Sequence, residues 1–169
     1  FWLKPLFTPA ITLQKRHASV VARPAVKMGF ELPDGYGYVV LAHSLSWISN
    51  YYLIFNVIKA RKKYGVEYPT LYAPETHAHA AEFNSVQRAH QNTLENWAPV
   101  QLLMAFNGIL YPKFAAACGT IWAVGRIIYG YGYATKGPSG RNVGGIISHL
   151  GDFPLVIGGF VTAANMINK

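Results

Sequence analysis

Four long apolar stretches follow one another along this chain, and they constrain its fold more than any other feature. They lie at roughly 36–60, 80–110, 114–134 and 143–166. A helix rises about 1.5 Å per residue, so roughly 20 residues cross the hydrocarbon core of a bilayer. Charged residues make up only 13% of the chain, compared with about 25% in soluble domains. The pattern predicts an all-α integral membrane protein with four spans.

Residues 1–36 have a different composition, which is basic and free of acidic residues before Glu31. The basic residues are Lys4, Lys15, Arg16, Arg23 and Lys27. Such a composition resembles a mitochondrial transit peptide, although Pro5, Pro9 and Pro24 interrupt any long helix. A transit peptide or its remnant, an arm that docks on a partner, and a disordered extension before Met28 all stay open. The predicted organisation is therefore a basic arm at 1–36 and a membrane domain at 37–169.

The net charge of +8 favours anionic partners, but the sequence does not favour nucleic acid. The basic residues stand beside apolar stretches, and they are not accompanied by an RNA- or DNA-binding signature. Lipid headgroups or an anionic substrate are the predicted partners. The pair His77 and His79 lacks a third ligand at useful spacing, so no metal site is predicted.

Polar residues recur on one face of two of the apolar stretches. Arg88, Asn92 and Glu95 stand at i, i+4 and i+7 of the second stretch. The third stretch carries a similar face. Its members are Arg126, Tyr129 and Tyr133. Residues at these spacings share one side of a helix, and charges in a membrane helix usually face the interior of a bundle.

With Arg61 at the end of the first stretch and Arg141 in the loop after the third, these faces are expected to converge at one membrane depth. They predict a pocket for a small zwitterionic or polyanionic ligand. Arginine binds two carboxylate oxygens at once, and Glu95 can accept from an ammonium group. The alternative is that Arg88 and Glu95 form a structural ion pair and that the tyrosines anchor helices at the interface.

Three segments carry a resemblance to a known family. They are KARKKYGVEYP at 59–69, FNSVQRAHQNTLE at 83–95 and VGRIIYGYGY at 124–133. In order and spacing they resemble the microsomal glutathione transferase and leukotriene C4 synthase family, also called MAPEG, and within it the type 3 branch. The resemblance covers the chain from about Met28 onward.

The resemblance implies a left-handed, up-down bundle of four transmembrane helices, commonly assembled as a homotrimer with glutathione between subunits. Carried over position by position, the glutathione contacts fall on Arg61, Arg88, Asn92, Glu95, Arg126, Tyr129 and Tyr133. The arginine that activates the glutathione thiol falls on Arg141. One departure is Asn96, which stands where relatives often carry an aromatic residue.

The activity that the resemblance implies is glutathione transfer to lipid epoxides or glutathione-dependent reduction of lipid hydroperoxides. Membrane lipids, a lipid electrophile or hydroperoxide, and further copies of the chain are the implied partners, in a mitochondrial membrane or the endoplasmic reticulum. The alternative is a non-catalytic accessory subunit of a larger mitochondrial membrane complex, built on the same fold. The basic arm favours that alternative.

Overall fold

The computed structural model describes residues 31–168, so most of the predicted basic arm lies outside the described residues. Within this range the chain forms four α-helices. They are α1 (Tyr36–Tyr64), α2 (Ala80–Gly108), α3 (Pro112–Lys136) and α4 (Asn142–Ile167), with a short 3-10 helix at Gly137–Arg141 between the last two. The predicted all-α class is confirmed, and each helix lies on one of the four apolar stretches.

The end of α1 illustrates how local sequence sets a helix boundary. Gly65 adopts a left-handed backbone with φ of 69° and donates its N–H to the Arg61 carbonyl oxygen at 2.9 Å. Glycine accepts this conformation without steric cost, which is why helices commonly end there. The last turn of α1 is basic, and cations are favourable next to the carbonyl end of a helix.

Neighbouring helices run antiparallel. The Tyr36 hydroxyl at the start of α1 donates to the Ala105 carbonyl near the end of α2, at 3.3 Å. Arg126 in the second half of α3 bonds to Asn92 in the first half of α2. Helix α3 packs against each of the other three helices. The core between them is built around Trp122, Met104 and Leu155, all fully buried.

Helices α3 and α4 approach each other closely because glycines line their contact. A Cβ on Gly144 would meet the backbone of Tyr129, and a Cβ on Gly125 would lie 2.5 Å from the backbone nitrogen of Ser148. Small residues at such positions let helix backbones touch, as is common between membrane helices. This contact holds the two helices that carry most of the polar cleft described below.

The outer face of α4 is apolar and exposed, with side chains such as Leu150, Ile157 and Phe160 between 62% and 75% accessible. Among the described residues, one helical stretch is long and apolar enough to cross a membrane. It covers Pro112–Ile167, with a mean hydropathy of 1.4 in its most apolar window. Helices α1 and α2 carry more polar residues, so the four predicted spans are supported in part.

Candidate functional site

A polar cleft of about 650 Å³ opens between α2, α3 and α4. It is lined by Asn92, Asn96, Arg126, Tyr129, Arg141, Asn142, Gly145, Ile146 and His149. The sequence predicted Asn92, Arg126, Tyr129 and Arg141 as site residues, and the structure brings these four together. Pockets of about 300–1,000 Å³ are usual for small ligands.

Arg126 is the most buried charged group of the cleft, with 3% of the residue exposed. Its Nη1 donates to Oδ1 of Asn92 at 2.9 Å, which joins α3 to α2. Its guanidinium lies 5.2 Å from the ring centres of both Trp122 and Tyr129. The hydrogen bond to Asn92 fixes Arg126 in place. Because a guanidinium has five N–H donors, Arg126 still offers donors to a ligand.

Arg141 lies in the 3-10 helix that connects α3 to α4, and it approaches the cleft from the end of the helices. Its Nη1 donates to the Tyr133 hydroxyl at 3.2 Å. This hydrogen bond raises the pKa of Arg141 above its ordinary value, so the side chain stays cationic. The rings of Tyr129 and Tyr133 contact edge to face, with centres 5.3 Å apart. The predicted grouping of Arg141 with the two tyrosines is therefore present.

Arg88 and Glu95 form an ion pair across two turns of α2, with Nη1 and Oε1 2.9 Å apart. Their side chains are 46% and 44% exposed, and neither is part of the cleft lining. The ion pair was one of the two interpretations that the spacing left open.

Arg61 does not reach the cleft. The residue is 8% exposed, and its Nη1 donates to the carbonyl oxygen of Val66 at 3.2 Å. Its guanidinium lies 4.2 Å from the ring centre of Tyr68 and 5.2 Å from that of Phe83. The expected convergence of all the polar residues is therefore incomplete in the single chain, because Arg61 packs into the loop that follows its own helix.

Other cleft residues were not predicted as site residues. Asn96 lines the cleft and donates from Nδ2 to the Asn92 carbonyl at 2.8 Å. His149 also lines the cleft, with Nδ1 3.1 Å from Oδ1 of Asp152. A histidine and an aspartate three residues apart in an apolar helix are a signal of function.

Two comparisons with known proteins identify the family of the chain. An uncharacterized protein from Synechocystis sp. is 35% identical over 111 residues, which cover 65% of this chain and 76% of the relative. The family model described as the MAPEG family matches residues 39–161, a segment that includes every residue of the cleft. The family is membrane-associated, its members use glutathione, and it includes glutathione transferases and peroxidases. The chain belongs to the MAPEG family.

Proposed function

We propose that this chain is a membrane glutathione transferase or glutathione-dependent peroxidase of the type 3 branch, with the polar cleft as its active site. The observation that carries the proposal is the cleft itself, where Arg126 and Arg141 face one space beside Tyr129. Arg126 is buried, and a buried cation in an apolar helix bundle is costly unless an anion offsets it. Arg141, which is exposed, adds a second positive charge to the same cleft. Family membership favours glutathione as that anion, since MAPEG proteins use glutathione.

The proposed binding mode matches charges of opposite sign. Glutathione carries two carboxylates and one ammonium group at neutral pH, and arginine binds carboxylates through paired hydrogen bonds. Arg126 is held by Asn92 and needs little reordering when a carboxylate arrives. Arg88 and Glu95 lie outside the cleft lining but on the same side of α2 as Asn92. Glu95 would accept from the ammonium group of glutathione by exchanging its ion pair with Arg88 for one with the ligand.

The proposed chemical step begins with the thiol. A free thiol has a pKa of about 8.5, and lowering it by about two units requires roughly 2.7 kcal/mol of preferential stabilisation of the thiolate. Arg141 is permanently charged, and a cation within hydrogen-bond distance of sulfur favours the thiolate over the thiol. The Tyr133 hydroxyl fixes the guanidinium by accepting from it at 3.2 Å.

The thiolate then reacts with a lipid. With an epoxide, a carbon–sulfur bond forms, a carbon–oxygen bond breaks and the oxygen takes a proton. With a hydroperoxide, sulfur takes one oxygen, the oxygen–oxygen bond breaks and an alcohol leaves, and a second glutathione then yields the disulfide and water. The exposed apolar face of α4 borders the cleft at Ile146 and suits a lipid substrate.

We propose four transmembrane helices and a homotrimer in a mitochondrial membrane or the endoplasmic reticulum. The antiparallel neighbours described above support an up-down order of these helices. Arg61 is left out of the proposed site, because it packs into its own loop.

The test is the ultraviolet absorbance of the thiolate when glutathione is added to the detergent-purified full chain. We expect a thiolate signal in the parent and its loss in Arg141→Ala. Lys136→Ala is the matched control, since it removes an exposed positive charge at the neighbouring end of α3. An absent signal in the parent, from a protein that purifies with other membrane subunits, would favour the accessory role instead.

A further inference from the structure

His149 and Asp152 form a side-chain pair on α4 that the proposed thiol chemistry does not use. The Nδ1 atom of His149 lies 3.1 Å and 3.2 Å from the two carboxylate oxygens of Asp152. The Phe153 ring stacks on the imidazole, with ring centres 4.6 Å apart and planes within 7°. The imidazole is thus held along one edge and across one face.

The His149–Asp152 pair lies at the polar cleft that we propose as the active site. Asn142, Ile146 and His149 stand at i, i+4 and i+7 of α4, and all three line the polar cleft with Arg126. Asp152 is set further back, with its side chain only 13% exposed. A carboxylate buried in an apolar helix is costly without a partner, and the imidazole supplies that partner.

The hydrogen bond decides which nitrogen of the ring is available. Because Asp152 accepts from Nδ1, Nε2 is the nitrogen left to exchange a proton with another molecule. A histidine oriented by a carboxylate in this way is a common arrangement for general acid–base catalysis.

We propose that Nε2 of His149 protonates the oxygen released when the glutathione thiolate opens an epoxide in this cleft, while Asp152 positions the ring. The inference rests on the proposed function. In this step the thiolate sulfur bonds to an epoxide carbon, and the carbon–oxygen bond breaks with its electron pair on oxygen. The proton of Nε2 passes to that oxygen, and the imidazole regains a proton from water.

Proton donation by His149 predicts which class of substrate depends on this residue. An epoxide releases an alkoxide, which is a poor leaving group until it is protonated. An aryl chloride such as chlorodinitrobenzene releases chloride, which needs no proton. The His149–Asp152 pair therefore favours electrophiles that release oxygen. Both kinds of substrate need bound glutathione, but only the epoxide needs the proton, so comparing their rates distinguishes proton donation from glutathione binding.

The experiment compares kcat/KM for styrene oxide and for chlorodinitrobenzene in the full chain and in His149→Gln, with thiolate absorbance measured on the same samples. General acid catalysis contributes about 100-fold or more. We expect the styrene oxide value to fall about 100-fold further than the chlorodinitrobenzene value does, with the thiolate signal retained. Since His149 is half-exposed, the substitution leaves the core intact. His43→Gln is the matched control, an exposed histidine on α1 that does not line the cleft.

Asp152→Asn is the second variant, because it keeps the shape of the side chain and removes its charge. We expect a selective loss on styrene oxide that is smaller than that of His149→Gln. An unchanged kcat/KM for styrene oxide in His149→Gln, or an equal loss on both substrates, would overturn the inference. If the parent still gives a thiolate signal, the proposed function stands. A parent without a thiolate signal would overturn both.

Discussion

Arg61 and Arg126 are both buried arginines in the second halves of their helices, and the structure gives them different environments. Arg61 bonds to the backbone of the loop that follows its own helix. Arg126 bonds to a side chain on another helix and borders the cleft. Burial of an arginine therefore does not identify a binding site. The hydrogen-bond partner of the arginine identifies it. A bond to a nearby backbone carbonyl stabilises a loop, whereas a bond to another helix beside a cleft presents the charge to a ligand.

The loop region and the cleft region also differ in how they are held together. The loop before α2 is fixed by Asn84, whose side chain bonds to both the N–H and the carbonyl of Ala73, at 2.7 Å and 2.9 Å. The cleft depends on the close approach of α3 to α4 through glycines. The two regions can therefore be disturbed separately.

The largest expected effect is the loss of the cleft when Gly144 is replaced, which leaves the loop region undisturbed. Its substitution Gly144→Leu places a side chain against the backbone of Tyr129 and forces α3 away from α4. Overpacking of this kind usually costs about 1–3 kcal/mol or more. We expect the thiolate signal to fall to background. Gly37→Leu is the control, because a Cβ there meets no heavy atom within 4 Å. A full signal in Gly144→Leu would show that the cleft does not need this contact.

The next effect concerns the loop region. Arg61→Ala removes a hydrogen bond to Val66 and contacts with two aromatic rings. Together these are worth about 1–3 kcal/mol. We expect the free energy of unfolding in detergent, measured by denaturant titration, to fall by about that amount. Lys62→Ala, an exposed neighbour, is the control. Unchanged unfolding in Arg61→Ala would remove the structural role given to Arg61.

A smaller effect is expected in the cleft when Arg126 loses its anchor. Asn92→Ala leaves the Arg126 charge in place but removes the acceptor that positions it. We expect the dissociation constant for glutathione to rise about tenfold, equivalent to about 1.4 kcal/mol. Asn165→Ala serves as the control, since Asn165 bonds to Tyr111 near the end of α4. Equal affinity in Asn92→Ala and the parent would mean that Arg126 needs no positioning.

The smallest effect is expected for the ion pair on α2. Arg88 and Glu95 are nearly half-exposed, and exposed pairs contribute only about 0.2–1 kcal/mol to stability. A double-mutant cycle with Arg88→Ala and Glu95→Ala, measured without glutathione, should give a coupling energy in that range. A coupling well above about 1 kcal/mol would make this pair a structural clamp like Arg61.

Much of this arrangement was predictable because it depends on local sequence. Apolar stretches located the four helices. The spacing of Asn92 on one helix and Arg126 on another predicted two polar faces, and the structure joins them at 2.9 Å. Such faces are readable because helix periodicity fixes which residues share a side.

Other features depend on how the helices pack, which periodicity does not report. His149 lies three residues before Asp152, but its place at the cleft follows from the side that α4 turns toward α3. Arg61 was expected at the site because it lies near the end of its helix, at about the same membrane depth as the other arginines. Its actual partners, Val66 and Tyr68, come from the path of the loop, which no spacing in the sequence predicts.

The most direct test of the central claim compares the dissociation constants of glutathione for Arg126→Gln and Arg61→Gln. Glutamine removes the charge at each position while keeping a hydrogen-bond donor. A hydrogen bond to a charged group contributes about 1.5–3 kcal/mol. We predict that binding weakens by roughly 10- to 150-fold in Arg126→Gln and by less than about threefold in Arg61→Gln. Equal weakening in both variants, or a larger loss in Arg61→Gln, would contradict the assignment of the cleft as the glutathione site.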